Sequence, residues 1–363
     1  MSNLTHELTI EGVAYGGSGI GRLEGKVVFV PFTIPGERVR VRILRSKKNF
    51  AEAELLEVLE PAVQRQTPRC AYFGRCGGCA YQHVDYQTQL EWKTRQVRDL
   101  LQRVGHLTDP PVEAALASPM EWGFRNRIRV HSENGRTGFY ARHAHRIVDI
   151  NCCAIAADDV NAELARFRKN PHPPEQMTLS VRRGVNFFEQ TNDGAAEVLA
   201  GVVEAMIGAG RGLLVDAYAG AGFFGHRLAD RFEKVVGIET HEGAVAAARA
   251  RALAHELYVC GDVGLHLGEI LEKADRPRTT VLLDPPAAGV SARVTDWLGV
   301  LQVRQVVYVS CDPATLARDV RALVGAGYRL NRVVPVDMFP QTADVEVVVE
   351  FLCPAEASSS LCP

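Results

Sequence analysis

Apolar and polar positions alternate in short runs over residues 8–13, 26–30, 38–44 and 51–58, separated by breaks such as Gly16-Gly17-Ser18-Gly19 and Pro35-Gly36. A period of two marks half-buried strands. Such closely spaced strands predict a small β-barrel of the OB-like type over residues 1–60. Residues 61–87 lose the periodicity and gain Cys, Gly and aromatic residues, so something other than an apolar core must hold them together. Helical spacing then returns at Leu90, Val97, Leu100, Leu101 and Val104, with Gly105 as a stop. This helix, 90–105, is a candidate to pack on the C-terminal part of the chain.

From residue 178 onward the period changes again. Apolar runs of strand length at 213–216, 235–238, 281–284 and 306–310 each precede a stretch suited to a helix. That alternation predicts a Rossmann-like α/β domain, a doubly wound parallel sheet, over 178–354. The closing runs at 330–337 and 345–352 have only a short connection, which predicts an antiparallel pair at the sheet edge. Residues 61–177 form a central domain, and 355–363 are expected to be a disordered tail.

Composition adds a polarity that the formal net charge of −2 hides. Residues 1–150 carry 21 Lys and Arg against 16 Asp and Glu, and the rest of the chain 20 against 27. Residues 122–147 hold Arg125, Arg127, Arg129, Arg136, Arg142 and Arg146 against Glu133 alone, interleaved with His131, His143, His145, Phe124, Phe139 and Tyr140. Such a segment suits a phosphate backbone with stacked bases, and equally a solvated strand surface. The barrel turn adds Arg45, Lys47 and Lys48. No apolar run reaches the roughly 18 residues of a membrane span. The first ten residues carry Glu7 and lack the apolar core of a signal peptide. A soluble, cytoplasmic, monomeric protein without a membrane partner is expected. Its nine cysteines, an odd count, argue against a disulfide framework. Clustered thiols in a reducing compartment more often bind metal or do chemistry.

The first strand of the parallel sheet runs into Asp216-Ala217-Tyr218-Ala219-Gly220-Ala221-Gly222-Phe223-Phe224-Gly225, a glycine loop at a helix start. Gly220, Gly222 and Gly225 also match the dinucleotide fingerprint, so a nicotinamide or flavin oxidoreductase is one reading. Asp216 favours another, because a carboxylate there repels a pyrophosphate and attracts a cationic amino acid. An adenosyl cofactor with an ammonium group fits better. Glu239 would accept from the ribose hydroxyls or, more blandly, cap a helix, and Asp262 would reach the adenine amino group.

Cys311, in Val309-Ser310-Cys311-Asp312-Pro313, falls past the carboxyl end of an apolar strand and before a helix. A thiol at a helix start is expected to have its thiolate favoured. Asp284-Pro285-Pro286 ends the preceding strand at the same rim. Amino-methylating sites need no thiol, so Asp284 with Cys311 points to a carbon acceptor such as pyrimidine C5, activated by thiolate addition at C6. Glu346, an acid among valines in the last strand, expected at the edge of the sheet, is the candidate base that removes the C5 proton. A non-catalytic RNA-binding protein with a structural metal is the remaining class.

These residues resemble the RNA uracil-5 methyltransferases that use S-adenosylmethionine, in the subgroup with an N-terminal TRAM domain and an iron-sulfur cluster. Ser310 to Asp319 is similar to the family's nucleophile motif, and Phe339-Pro340-Gln341-Thr342 through Glu346 to its general-base motif. Phe188-Glu189-Gln190-Thr191-Asn192 is similar to the segment whose glutamine contacts cofactor, which implies Gln190. The resemblance also puts Tyr218, Glu239 and Asp284, and less closely Asp262, at cofactor positions. Cys70-x5-Cys76-x2-Cys79 resembles the cluster motif, whose fourth ligand lies downstream and is matched by Cys153 rather than Cys152. A 4Fe-4S cluster is implied; zinc could use the same four thiols, but its sites usually show two close pairs. Ala219, Phe223, Ala287 and Asp344 depart from the family pattern. The cluster-bearing subgroup acts mainly on ribosomal RNA, so structured RNA, 23S rRNA before tRNA, is the implied substrate, with Arg125, Arg127 and Arg129 gripping it.

Overall fold

The computed structural model describes residues 5–142, 144–170, 172–181 and 190–354. The expected tail, His143 and the Phe188-Glu189 part of the glutamine motif lie outside the described residues.

Strands β1 (Thr5–Val13), β2 (Ser18–Leu23), β3 (Lys26–Pro31), β4 (Arg38–Ser46) and β5 (Phe50–Glu60) close into a barrel in the order β1-β2-β3-β5-β4. Alternate residues, among them Val28, Val30, Val39 and Val41, fill its interior. Gly16 and Gly17 make the β1–β2 turn at φ +89° and +86°, and Ser18 and Gly19 already belong to β2. On the outside Arg38, Arg40 and Arg42 pair with Glu7, Glu54, Glu57 and Glu60, whereas Arg45 near the end of β4 and Lys47 and Lys48 on the turn after it are exposed.

Helix α1 (Tyr86–Arg103) starts earlier than the apolar spacing predicts, because Asp85 caps it by accepting from the Thr88 N–H at 2.9 Å. Its Val97 and Leu101 join the core of the C-terminal sheet. The central domain holds β6 (Arg127–Glu133), β7 (Arg136–Tyr140), β8 (Ile147–Asp149), α2 (Asp158–Phe167) and β9 (Gln176–Ser180), with an antiparallel sheet ordered β8-β7-β6-β9. Asn134 and Gly135, both left-handed, make the two-residue β6–β7 hairpin turn.

The C-terminal part runs α3 (Asp193–Ile207), β10 (Leu213–Ala217), α4 (Phe223–Leu228), β11 (Lys234–Glu239), α5 (Glu242–Arg249), β12 (Glu256–Cys260), α6 (Val263–Glu272), β13 (Thr279–Leu283), α7 (Ala292–Leu301), β14 (Gln305–Ser310), α8 (Pro313–Gly325), β15 (Arg329–Val336) and β16 (Glu346–Leu352). The sheet order is β12-β11-β10-β13-β14-β16-β15, parallel through β14, with β16 antiparallel to both of its neighbours. Helices α1, α6, α7 and α8 cover one face, and α3 and α4 the other. The doubly wound sheet thus agrees with the sequence reading. One detail does not: β16 is not an edge strand. Its Val347, Val348, Val349 and Phe351 are fully buried, so both faces and both edges are covered, and β15 takes the outside place. Even β15 is flanked by the segment 112–116, through bridges Val112 to Val333 and Leu116 to Val336.

Candidate active site

The carboxyl ends of β10, β11, β13 and β14 bring the glycine loop, Glu239, Asp284 and Cys311 to one rim, where open parallel sheets keep their ligand crevice. Ser310 pairs with Val347 across β14 and β16, so Cys311 and Glu346 occupy the next facing positions. Cys311 is exposed at the mouth, and Glu346 is 5% exposed beneath it.

Electrostatics corrects the expectation of a favoured thiolate. Burial, then the neighbouring charges of Glu346, Asp284 and Asp312, push the Cys311 thiol up to about 11. The helix offers little in return, because Cys311 lies two residues before its first turn and the Asp312 carboxylate already accepts from the N–H groups of Ala314 and Thr315, at 2.8 and 2.9 Å. Three acids beside the thiol outweigh the helix end. Glu346 is itself raised to about 8 by burial and by the charges of Asp284 and Asp344. Asp284 is raised to about 7 by burial. Because Asp284 acts on Cys311, on Glu346 and on Asp216, it sits between the reactive pair and the glycine loop.

That loop is braced by carboxylates. Asp216 is buried beneath it rather than facing the open crevice: its Oδ2 accepts from Gly225 N–H at 2.9 Å, while Oδ1 has no partner. Burial and the charge of Asp284 raise it to about 7. A side chain on Gly225 would meet Tyr258 Oη at 2.6 Å and Asp216 Oδ2 at 3.0 Å, so only glycine lets α4 come this close. Gly220 and Gly222 adopt φ +54° and +82°, and Tyr218, unusually for a non-glycine residue, +67°. Glu239 does not cap α5, a role taken by His241; it accepts from Gly220 N–H at 3.0 Å and from His241 N–H at 2.7 Å. Three of its four lone-pair sites are engaged once the Thr240 hydroxyl is included. Asp262 caps α6 through Leu265 N–H at 3.2 Å. Gln190 is half-buried at the start of the segment leading into α3, and its carbonyl accepts from Asn126.

The sequence reading missed the supports of the base-bearing loop. Lys93 of α1 is wholly buried, and its Nζ reaches Asp337 Oδ1 at 2.5 Å and the Phe339 carbonyl at 3.1 Å. Burial lowers its pKa while the Asp337 charge raises it. Gln341, at φ +70°, exchanges hydrogen bonds with Gln89 at 3.0 and 3.1 Å, and its carbonyl accepts from the N–H groups of Ala80 and Tyr81. No periodicity announces these residues, since each is polar in an otherwise apolar setting and finds its partners on distant segments.

Cys70, Cys76, Cys79 and Cys153 line one cavity of about 240 Å³, together with Cys152, Arg125, Arg129 and the apolar Ile128, Phe139, Ile150 and Ile155. Burial pushes the Cys79 and Cys153 thiols up, to about 12 and about 11. Cys152 is exposed. Among the described residues no three Cys, His, Asp or Glu side chains are grouped as ligands of a single ion. Arg125 is turned inward, over the Phe339 ring at 5.7 Å, Arg127 is half-buried and Arg129 exposed.

Comparison with known proteins agrees with this arrangement. Residues 3–56 match the TRAM domain family, and residues 271–352 match the tRNA (Uracil-5-)-methyltransferase family. An uncharacterized RNA methyltransferase of Synechocystis is 32% identical, with 94% of this chain and 94% of that protein aligned. One from Bdellovibrio bacteriovorus is also 32% identical, covering 95% and 94%. The crystal structure of Pyrococcus abyssi tRNA (uracil-54, C5)-methyltransferase in complex with S-adenosyl-L-homocysteine is similar in fold, with TM-score 0.71 and 24% identity over 96% of this chain and 100% of that one. On its domain content, and on a likeness to its relatives that spans nearly the whole chain, the protein belongs to the RNA uracil-5-methyltransferase family with an N-terminal TRAM domain.

Proposed function

We propose that this protein methylates C5 of a uridine in structured RNA with S-adenosylmethionine as donor, and that 23S rRNA is the substrate. The observation that carries the reading is the placing of Cys311 opposite Glu346 on β14 and β16, with Asp284 alongside. Uracil C5 is a poor nucleophile. Cys311, after losing its proton to the solvent at the mouth, adds to C6; the S–C6 bond forms and the C5=C6 electron pair moves onto C5 and O4. The cofactor supplies an electrophilic methyl group, which C5 takes. Glu346 then removes the C5 proton, the double bond re-forms, and the C6–S bond breaks to return the thiolate.

The crevice suits a cationic cofactor. Burial holds Asp216 and Asp284 protonated to about neutral pH, with the charge of Asp284 adding to the shift at Asp216, and a buried carboxylate oxygen of Asp216 lacks a partner, so a positive charge nearby favours their ionised forms. It also favours the Cys311 thiolate. Glu239 keeps a lone pair for a ribose hydroxyl; Gln190, Tyr218, Gly220, Gly222 and Asp262 border the same crevice in this reading, and Asp284 is the acid nearest the reacting centre. Cys70, Cys76, Cys79 and Cys153 would hold a 4Fe-4S cluster, preferred here to zinc, that ties the segment 70–79 to the one leading into α2 beside the apolar core of the central domain. Arg127 and Arg129 grip the RNA backbone, and Arg125 backs the cluster and the base-bearing loop.

The test is methyl transfer by the full-length protein from labelled S-adenosylmethionine to 23S rRNA and to tRNA, with nucleosides identified by mass spectrometry. 5-Methyluridine at one position of the rRNA is expected. Label confined to tRNA overturns the substrate, which the tRNA-acting structural neighbour makes the natural rival. Binding of NAD in place of S-adenosylmethionine, measured by calorimetry, overturns the reaction class.

A further inference from the structure

We infer that Asp319 is a positioning residue: with Thr315 and Arg318 on the same face of α8, it clamps the loop after Asp284 and so sets the spacing between Asp284 and the Cys311 thiol. The role rests on the reaction proposed above and adds to it a residue that lies behind the site.

Asp284 and Cys311 follow neighbouring parallel strands, β13 and β14, at one rim. What comes after each is stiff. Beyond Cys311 the chain enters α8 within two residues. Beyond Asp284 come Pro285 and Pro286, whose rings fix φ, and then a turn in which Gly289 N–H donates to the Pro286 carbonyl at 2.8 Å. Helix α8 holds that turn at three points. The Thr315 hydroxyl donates to the Ala287 carbonyl at 2.7 Å, Arg318 Nη2 donates to the Ala288 carbonyl at 2.9 Å, and Val290 N–H donates to Asp319 Oδ2 at 3.0 Å. Their spacing puts residues 315, 318 and 319 on one face of the helix. Asp319 is buried; its Oδ2 also accepts from the Tyr308 hydroxyl of β14 at 2.8 Å, and its Oδ1 from Arg318 Nε at 2.8 Å. A Cβ on Gly289, at φ +77°, would stand 2.3 Å from Asp319 Oδ2 and 2.6 Å from Arg318 Nη2, so the loop backbone lies directly on the helix.

One carboxyl group therefore joins β14, α8 and the loop after β13. Two successive prolines pass on a shift at Ala287 rather than absorb it, so slack in the clamp reaches Asp284. The charge of Asp284 bears on both Cys311 and Glu346, and repulsion among these acids drives it away from them once the loop is free. The thiol and the acid on its cofactor side then no longer face one substrate in register. A misplacement of about 1 Å costs up to about a hundredfold in rate.

Asp319→Ala removes the central acceptor of the clamp. Asp319→Asn keeps an amide oxygen for Val290 N–H and the Tyr308 hydroxyl, and Tyr308→Phe takes one bond from the same carboxyl while leaving the loop held. Two readouts separate a clamp from general destabilisation. The first is the single-turnover rate of methyl transfer from labelled S-adenosylmethionine to 23S rRNA with both saturating, with both affinities and the melting temperature measured alongside. The second needs neither substrate: alkylation of Cys311 by iodoacetamide across pH, followed by mass spectrometry of its peptide, senses how Glu346, Asp284 and Asp312 face the thiol. Asp319→Ala is expected to slow transfer about tenfold or more with both affinities within about threefold, and to move the alkylation midpoint to lower pH as Asp284 withdraws. Asp319→Asn and Tyr308→Phe are expected to stay within about threefold of the wild-type rate and to keep its midpoint. Arg318→Met, a change at an exposed side chain that frees Ala288, is expected to fold normally and to slow transfer about threefold or more, which keeps the clamp testable if Asp319→Ala does not fold. A wild-type rate and midpoint in Asp319→Ala, a wild-type rate in Arg318→Met, or an equal loss in Tyr308→Phe overturns the inference. Wild-type protein that methylates no RNA fails at the parent reading instead, and the alkylation midpoint still decides the clamp.

Discussion

Cys311 and Glu346 stand across from each other where β14 ends and β16 begins, one register step beyond the pair Ser310 and Val347. This follows from the insertion of β16 between β14 and β15. Had β16 been the outermost strand, the acid would lie one strand further from the thiol. The charge relationship follows from the same placement, since Glu346 raises the pKa of Cys311 and Asp284 raises those of both.

The crowded acids make stability depend on pH. Asp216 and Asp284 are raised from 3.8 to about 7, and Glu346 from 4.5 to about 8. The folded protein then binds more protons than the unfolded chain between these limits, so substrate-free stability falls as pH rises from about 4 to about 8 and levels off above. Asp284→Asn removes one unfavourable charge. Its melting temperature is expected to exceed that of the wild type at pH 8 by a few degrees, more than about 1 kcal/mol, with the gap narrowing as pH falls and closing near pH 4. A thermal-melt series across pH checks this; a gap that does not narrow between pH 8 and pH 4 contradicts it.

Lys93 and Asp337 form an ion pair with no exposure, joining α1 to the loop that carries Glu346. Lys93→Met leaves a carboxylate buried without its partner, at an expected loss of about 3–5 kcal/mol in unfolding free energy. Urea denaturation measures it. Adding Asp337→Asn is expected to restore more than about 1 kcal/mol, because the stranded charge is gone. Equal, additive losses would show that the two residues do not act as a pair.

The architecture was largely legible in the sequence, because local period and turn chemistry decide it: alternation for the barrel, apolar runs for the parallel strands, and Asp312-Pro313 as a helix start. That Cys311, Glu346 and the glycine loop gather at one rim was legible for the same reason, each being a short motif at a strand end. The order of the last two strands depends on which edge is covered, and no local signal carries that. The protonation of Cys311 was misread because Glu346 and Asp284 arrive from strands far away in sequence. Lys93 left no trace.

Loss of the proposed cluster is expected to be felt at the base. The N–H groups of Ala80 and Tyr81, next to Cys79, donate to Gln341 in the loop that leads to Glu346. Cys79→Ser, or chelation of the wild type, is expected to abolish the broad visible absorbance of an iron-sulfur protein and to lower kcat at least tenfold, while S-adenosylmethionine affinity changes little. Anaerobic purification with metal analysis checks the premise. One zinc and no iron per chain would replace the cluster with a zinc site.

The central claim is that Cys311 joins covalently to the pyrimidine and Glu346 releases it. Glu346→Gln protein, incubated with substrate RNA and S-adenosylmethionine, tests it most directly by denaturing gel and by mass spectrometry of the trapped peptide. The account predicts a stable RNA–protein adduct, already methylated at C5 and attached through Cys311, that is absent from Cys311→Ala protein. Full turnover by Cys311→Ala, or no adduct in Glu346→Gln with both substrates bound, would contradict it.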